Sequence, residues 1–297
     1  MVNVSSGYFA VLLIYMVSIS DDIKRLLANI TKTENRFVSF ERCYFFMNIP
    51  PEEGYKYLPM MKKHYKKLVE DEFSGKEKNF VGPDDLQGWP RSGSVELRNY
   101  SVKYRPDLDY VLRNLSFSLQ SGEKLGILGR TGAGKSTLIS SMFRYFSSFE
   151  GDILIDGVPI KTVDIQNLRS AMTIIPQDPI LFNATIRKNI DPSDRHSAKE
   201  CENVLKEIGL WEKFEHHNGN EFMVDVGGAN LSQGEKQLIC FGRALLEKNK
   251  LILMDEATAN IDSITEKTMQ RLVEEKFKDS TIIMIAHKLN TIMVCNK

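Results

Sequence analysis

A glycine-rich loop near the middle of the chain has the residue types and spacing of a phosphate-binding site. Residues 129–137 have the sequence Gly-Arg-Thr-Gly-Ala-Gly-Lys-Ser-Thr, and Gly129–Ser136 fits the pattern G-x-x-x-x-G-K-[ST]. The glycines allow backbone N–H groups to close around phosphate oxygens at the positive end of the next helix. We expect Lys135 to reach the β- and γ-phosphates and the Ser136 hydroxyl to bind Mg²⁺. An ordinary glycine turn is the alternative, and the preceding apolar run Leu125–Leu128 argues against it.

Two carboxylates follow a second apolar run further along the chain. Leu251–Met254 is apolar, and Asp255 and Glu256 come directly after it. A buried strand gains no packing from terminal charges, because each charge needs a partner. Asp255 can hold Mg²⁺ directly or through water, and Glu256 can orient and deprotonate an attacking water. Together with the phosphate loop, this pair predicts hydrolysis of a nucleoside triphosphate.

The elements that must position these residues alternate between strands and helices, which indicates an α/β fold. The continuous apolar runs Leu251–Met254 and Thr281–Ile285 are typical of strands buried on both faces of a parallel sheet. Further strands are predicted at Val95–Leu97, Leu115–Leu119 and Leu125–Leu128, with a hairpin turn at Asp156-Gly157. Helices are predicted at Lys135–Phe146, Lys199–Ile208, Gly234–Leu246 and Ser263–Phe277.

The first 50 residues have the pattern of a long helix. Gly7 to Ile19 is apolar, apolar residues then recur at helical spacing among charged ones, and Pro50-Pro51 stops the pattern. A helix from about Gly7 to Met47 would be roughly 60 Å long. We expect residues 1–50 to be the end of a transmembrane domain, with one membrane helix and a cytosolic extension. A secretory signal and a buried soluble helix are the alternatives.

Residues 51–92 are predicted to be a linker. The basic run at residues 62–67 is a solvated face or a contact for anionic lipid headgroups. Over the whole chain, 39 Lys and Arg balance 39 Asp and Glu, so no basic field favours a nucleic-acid partner. The four cysteines are far apart, which argues against a disulfide framework or a zinc site.

Residues 95–297 resemble the ATP-binding cassette (ABC) proteins through further motifs. Leu231-Ser232-Gln233-Gly234-Glu235 occupies the place of the family signature, Leu-Ser-Gly-Gly-Gln. Gln177 matches the Q-loop, Ala259-Asn260-Ile261-Asp262 the D-loop, and His287 the switch histidine. The resemblance implies a P-loop NTPase-type ABC nucleotide-binding domain over residues 93–297 that uses ATP and Mg²⁺ and is truncated at its C-terminus.

Some segments resemble one branch of the family in particular. Trp89-Pro90, Asn99–Leu108 and Gly129–Gly134 look like the second nucleotide-binding domain of subfamily C. That branch includes multidrug-resistance-associated exporters, the cystic fibrosis chloride channel and the sulfonylurea receptors. Tyr104 falls at the family's A-loop, where an aromatic ring stacks on adenine. The N-terminal helix is similar to the last transmembrane helix of such exporters.

The resemblance implies a complete set of site residues. The implied catalytic residues are Glu256, His287 and Gln177, and the implied metal ligands are Ser136, Gln177 and Asp255. The implied nucleotide contacts are Tyr104, Gly129, Arg130, Thr131, Gly132, Ala133, Gly134, Lys135, Ser136, Thr137, Ser232 and Gly234.

In the family, two cassettes face each other and each nucleotide lies between one phosphate loop and the partner's signature. A second nucleotide-binding domain is therefore an implied partner, from a missing first half or another chain. Gln233 and Glu235 depart from the signature, and a carboxylate near a triphosphate should weaken that half-site unless Lys236 or Mg²⁺ offsets it. Both chain ends look cut, as a fragment, a truncated gene model or a split gene would explain.

The leading functional hypothesis is an ATP-driven exporter located in a membrane, with its ATPase domain in the cytoplasm and an unknown transported substrate. A gated channel or receptor regulator of the same subfamily is the second. A soluble cassette ATPase acting on DNA or ribosomes is the third, and the apolar N-terminal run and the balanced charge argue against it.

Overall fold

The computed structural model describes residues 6–49, 88–258, 261–286, 292 and 295–297. The described residues belong to two compact units, one containing residues 6–49 and the other residues 88–297. Most of the predicted linker, His287 of the predicted switch and Ala259-Asn260 of the predicted D-loop lie outside the described residues. The predicted domain boundaries stay predictions.

The described residues of the N-terminal unit form one long helix, α1 (Ser6–Met47). It ends just before Pro50-Pro51, as the sequence predicts, because proline lacks the N–H group that would continue a helix. The run Gly7–Ile19 was expected to cross a membrane, but no helix in the described part of the chain is long and apolar enough to do so. Asp21 and Asp22 interrupt the run before roughly 20 apolar residues have accumulated.

The C-terminal unit contains eight strands and seven further helices within its described residues. The strands are β1 (Val95–Val102), β2 (Leu112–Leu119), β3 (Lys124–Ile127), β4 (Phe149–Ile155), β5 (Val158–Pro159), β6 (Met172–Ile175), β7 (Leu251–Asp255) and β8 (Thr281–Ile285). The helices are α2 (Lys135–Met142), α3 (Ile165–Ser170), α4 (Ile186–Ile190), α5 (Ala198–Glu207), α6 (Trp211–Glu215), α7 (Gln233–Glu247) and α8 (Ser263–Glu275). Short 3₁₀ turns lie at Ile160–Thr162, Gly219–Glu221 and Val226–Gly228.

The strands form two four-stranded sheets. One is parallel with the order β3-β8-β7-β6, and the other is antiparallel with the order β2-β1-β4-β5. In the parallel sheet, Ile127 lies opposite Ile285, and Ile175 lies opposite Met254. The carboxyl ends of these strands are therefore level, and the residues that follow them gather at one edge.

Alternate residues of β7 and β8 enter two different apolar clusters, because successive side chains of a strand point to opposite faces. One cluster packs the sheet against α2 and the antiparallel sheet, and it contains Leu251, Leu253, Ile283 and Ile285. The other packs the sheet against α7 and α8, and it contains Ile252, Met254, Ile282 and Met284. Burial on both faces explains the continuous apolar runs in the sequence.

The predicted α/β class is confirmed, and most predicted elements closely match the structure. The C-terminal end of one predicted helix was wrong. The helix predicted over Lys135–Phe146 ends at Met142. Arg144 has a left-handed backbone, with φ of 55°, which a continuing helix excludes. Its guanidinium donates hydrogen bonds to the carbonyl oxygens of Ile160 and Val163, at 2.9 and 2.8 Å.

The predicted hairpin turn at Asp156-Gly157 joins β4 and β5. Asp156 has φ of 49°, and its carboxylate accepts hydrogen bonds from the backbone and side chain of both Ser92 and Ser94. Burial acts to raise the pKa of Asp156, but these hydrogen bonds outweigh it and lower that pKa from 3.8 to about 2. The turn thereby anchors the segment that enters β1.

We expect Asp156→Asn to lower the free energy of unfolding by about 1 kcal/mol at neutral pH, because it weakens hydrogen bonds to a partly exposed carboxylate. Asparagine tolerates a positive φ, so the turn is kept. The folded pKa lies below its unfolded value, so this stabilisation is present above about pH 4 and is lost as the pH falls towards 2. In urea unfolding, the difference from the wild type should shrink over that range. A difference that does not change with pH would contradict the role of the charge, and Asp109→Asn is the exposed control.

Candidate nucleotide-binding site

The predicted site residues that the structure describes lie largely at the carboxyl edge of the parallel sheet. The phosphate loop follows β3, Asp255 ends β7 and Glu256 follows it, and Gln177 lies after β6. The backbone N–H of Ala286, after β8, donates to the Ile127 carbonyl at 3.2 Å, so the chain reaches the same edge before His287. Open α/β sheets bind ligands at such an edge.

The phosphate loop needs glycine at Gly134, directly before α2. Gly134 has φ of 86°, and a Cβ atom there would lie 2.9 Å from Leu112 Cδ2. Both the backbone conformation and the contact with the start of β2 therefore exclude a side chain. The end of the loop therefore lies close to the start of β2 in the antiparallel sheet.

Lys135, the first residue of α2, folds back over the phosphate loop. Its ammonium group donates hydrogen bonds to the carbonyl oxygens of Gly129 and Arg130, at 2.9 and 3.1 Å. The residue is only 8% exposed, so its stem is packed and its charge is held inside the loop. A cation in this position can exchange its carbonyl partners for phosphate oxygens.

Ser136 and Asp255 meet across the sequence. The Ser136 hydroxyl donates a hydrogen bond of 3.1 Å to Asp255 Oδ1. Burial raises the pKa of Asp255 above its ordinary value and the charge of Glu256 acts in the same direction, while Ser136 and Lys135 act to lower it. A cation beside Asp255 would favour the charged form of this carboxylate.

Glu256 turns sharply as it leaves β7. It has φ of 49°, and its backbone N–H donates to the Ile285 carbonyl at 3.0 Å. A non-glycine residue with a positive φ is uncommon and is enriched at functional sites. The chain therefore turns out of the direction of β7 directly after Asp255.

Gln177 is exposed and follows Pro176 at the end of β6. The Pro176 carbonyl accepts a hydrogen bond of 2.8 Å from Nε2 of Gln237, a buried residue of α7. Gln237 thus connects the predicted Q-loop to the helix that follows the signature. Gln237 was not predicted as a site residue, although a polar side chain beside the apolar run Leu238–Phe241 was a signal.

The signature residues form the N-terminus of α7. Ser232 caps the helix: its hydroxyl accepts from the Glu235 N–H at 3.3 Å, and the Glu235 carboxylate accepts from the Ser232 N–H at 2.8 Å. This is a capping box, in which glutamate and glutamine serve equally. The substitution of Glu235 for the signature glutamine therefore preserves the local structure.

The charge of Glu235 is offset by Lys213 of α6, at 2.7 Å. Lys236, one of the two possible counter-charges named from the sequence, instead donates from its ammonium group to the Gly227 carbonyl at 2.9 Å. Partial burial acts to raise the pKa of Glu235, but hydrogen bonds from Lys213 and Ser232 hold that pKa below its ordinary value. Lys213 lies on another helix, and nothing in the sequence pointed to it.

Gly234 packs against the start of α8. A Cβ atom at Gly234 would lie 2.9 Å from Thr265 Oγ1 and 3.3 Å from Asp262 Oδ1. Asp262, at the end of the predicted D-loop, caps α8 by accepting from the N–H groups of Ile264 and Thr265. Among the described residues, no hydrogen bond joins Ser232 or Gly234 to the phosphate loop.

Tyr104, the predicted base contact, follows β1. Its hydroxyl lies 2.8 Å from Thr137 Oγ1 in α2, and its ring centroid lies 5.2 Å from that of Phe146. The structure therefore brings Tyr104, the loop, Asp255 and Glu256 to one region, whereas Ser232 and Gly234 belong to a separate helix end.

Residues 112–259 match the sequence profile of the ABC transporter family. The chain carries an ABC transporter domain. The predicted enzyme class, an ATPase, is confirmed at the level of the family. Over 213 residues, 71% of this chain, it is 48% identical to rat ATP-binding cassette sub-family C member 3.

Two further similarities to the ABC family cover more of the chain. It is 37% identical over 312 residues, 99% of the chain, to the Candida glabrata pleiotropic ABC efflux transporter of multiple drugs YBT1. A solved bacterial Atm1-family ABC exporter with ATP bound matches with a TM-score of 0.67 at 32% identity, over 80% of this chain and 41% of that one. The chain spans 14% of the rat protein and 18% of the Candida protein. The predicted similarity to subfamily C is thereby confirmed.

Proposed function

We propose that this chain binds MgATP at the phosphate loop and hydrolyses it there as the cassette of an exporter. The observation that supports this most directly is the 3.1 Å hydrogen bond between Ser136 Oγ and Asp255 Oδ1 beside the phosphate loop. A hydroxyl and a carboxylate supply the hard oxygen ligands that Mg²⁺ prefers. Mg²⁺ keeps several ligands from water and substrate phosphates, so few protein ligands suffice.

Each predicted site residue in the phosphate loop and after the parallel strands has a role in this proposal. Lys135 exchanges its two carbonyl hydrogen bonds for the β- and γ-phosphates, and the loop N–H groups bind the remaining phosphate oxygens. Ser136 and Asp255 hold the metal, with Gln177 as the third group, and the bound metal neutralises charge on the phosphates. Glu256 accepts a proton from the attacking water, and His287 and Gln177 assist at the γ-phosphate.

A second nucleotide-binding domain completes the site. Ser232 and Gly234 would bind the nucleotide on the phosphate loop of that partner, and its signature would close over Lys135. Two observations support this arrangement: the α7 N-terminus has no hydrogen bond to the chain's own loop within the described residues, and Lys213 offsets the Glu235 charge there. We therefore expect the half-site with the altered signature to keep its ability to bind nucleotide.

The cassette would couple hydrolysis to substrate transport across a membrane, with the ATPase domain in the cytoplasm. The names of the similar proteins support this, since they include an efflux transporter and an exporter.

The metal-binding role can be tested with Ser136→Ala. The quantity to compare is the ratio of ATP affinity with Mg²⁺ to ATP affinity with a chelator, the Mg²⁺ gain. We expect this ratio to fall about tenfold, because a ligand to a charged group contributes on the order of 1.5 kcal/mol. The affinity for ATP in the presence of the chelator should not change. Isothermal titration with and without Mg²⁺ measures both quantities.

Ser140→Ala is the matched control, since Ser140 lies one turn further along α2. It should leave the Mg²⁺ gain intact. A Ser136→Ala variant that keeps the full Mg²⁺ gain, or loses affinity equally in the chelator, would contradict the metal site.

A further inference from the structure

The side chain of Tyr104 connects the loop after β1 to the first turn of α2. Its hydroxyl lies 2.8 Å from Thr137 Oγ1. Thr137 is 5% exposed, whereas Tyr104 is 53% exposed. One end of the tyrosine ring is therefore fixed at a buried hydroxyl, while much of the ring stays open to solvent.

A second contact supports the same ring. The Phe146 ring lies 5.2 Å away at an interplanar angle of 51°, and Phe146 itself packs against the apolar cluster that contains α2. A side chain held at both its hydroxyl and its ring has few rotamers left. The open part of the Tyr104 ring is thus presented in a defined position.

Two consecutive residues of α2 have partners from different elements: Asp255 ends β7, and Tyr104 follows β1. Ser136 donates to Asp255, where we place the metal, and Thr137 meets Tyr104. The first turn of α2 therefore links the phosphate end of the site to an open aromatic ring. The base and the phosphates of a nucleotide are covalently joined, so a ring fixed relative to the loop can bind both ends with less loss of freedom on binding.

We propose that the hydrogen bond between Tyr104 and Thr137 is a latch that positions the tyrosine ring for the base, and that it makes the site favour a nucleoside triphosphate over a bare triphosphate. Thr137 is then a positioning residue for base recognition, in addition to its place beside the phosphates. This inference rests on the proposed function, because it requires the nucleotide to bind at this loop.

Two substitutions that remove the latch test it in the whole chain. Tyr104→Phe keeps the ring and removes its hydroxyl, and Thr137→Val keeps the side-chain shape and removes the other hydroxyl. Each should weaken MgATP binding about three- to tenfold, the usual effect of one hydrogen bond. Tyr104→Phe should leave affinity for Mg-tripolyphosphate, which has no base, unchanged. The double variant should bind MgATP no more weakly than the weaker single variant, because both remove one bond.

Tyr110→Phe is the matched control, since the Tyr110 hydroxyl on the same loop bonds to Glu150 instead. It should change neither affinity. The latch is overturned if Tyr104→Phe binds MgATP like the wild type, if its tripolyphosphate affinity falls in parallel, or if the two substitutions add. A wild-type chain that binds no MgATP would overturn the proposed function and the latch together, whereas normal wild-type binding with unchanged variants overturns the latch alone.

Discussion

Replacing Glu256 by glutamine should leave MgATP binding intact and reduce hydrolysis roughly a hundredfold or more, the usual contribution of a general base. Glutamine has almost the same shape, so the backbone turn at φ of 49° and the hydrogen bond to Ile285 are preserved. The amide cannot accept the proton of the attacking water. Phosphate release and equilibrium nucleotide binding should be measured in a full-length transporter that carries this cassette, because the site needs a partner signature.

The control for this substitution is Glu274→Gln, at an exposed position of α8. It makes the same chemical change away from the sheet edge, and hydrolysis should be normal. Hydrolysis at the wild-type rate in Glu256→Gln would remove Glu256 as the base. Loss of nucleotide binding in the same variant would assign Glu256 to binding rather than to proton transfer.

Removing the ammonium group of Lys135 should have a comparably large effect, but on binding itself. We expect Lys135→Ala to weaken MgATP binding on the order of a hundredfold, because a buried, charge-assisted contact to phosphate is lost. The variant also leaves the Gly129 and Arg130 carbonyl oxygens without their present donor. Isothermal titration measures the affinity, and thermal unfolding without nucleotide shows whether the loop still folds.

Lys135→Met separates the loss of the ammonium group from the loss of side-chain packing. Methionine keeps a packed unbranched stem and lacks only the charged group. Its affinity should fall as far as that of Lys135→Ala, with a smaller loss of thermal stability. Lys199→Ala removes a lysine from the first turn of α5 and should bind normally. Binding of MgATP by both Lys135 variants at wild-type affinity would contradict the phosphate-site assignment.

Much of the site could be predicted from local patterns. The phosphate loop depends on glycine spacing within nine residues of sequence, and the Asp255-Glu256 pair stands out because it ends an apolar run. The parallel strands were predictable because burial on both faces requires continuous apolar residues. The end of α2 was not predictable, because Arg144 leaves the helix to bond Ile160 and Val163 in a distant turn.

The counter-charge of Glu235 could not be predicted from local spacing. In sequence, Lys236 is adjacent to Glu235 and was named, with Mg²⁺, as a possible counter-charge. Adjacent residues of a helix point in directions that do not face each other. The structure pairs Glu235 with Lys213 of α6, and it assigns Lys236 to the Gly227 carbonyl.

The sequence by itself determined the phosphate loop, the acidic strand end, the α/β class and the order of the motifs, because each depends on residue types at short spacing. Only the tertiary structure decided that Ser136 meets Asp255, that Tyr104 is held by Thr137, and that Lys213 offsets Glu235. These contacts join residues far apart in the chain. They exist because the parallel strands end level at one edge and because helices pack on the sheet, which no local spacing encodes.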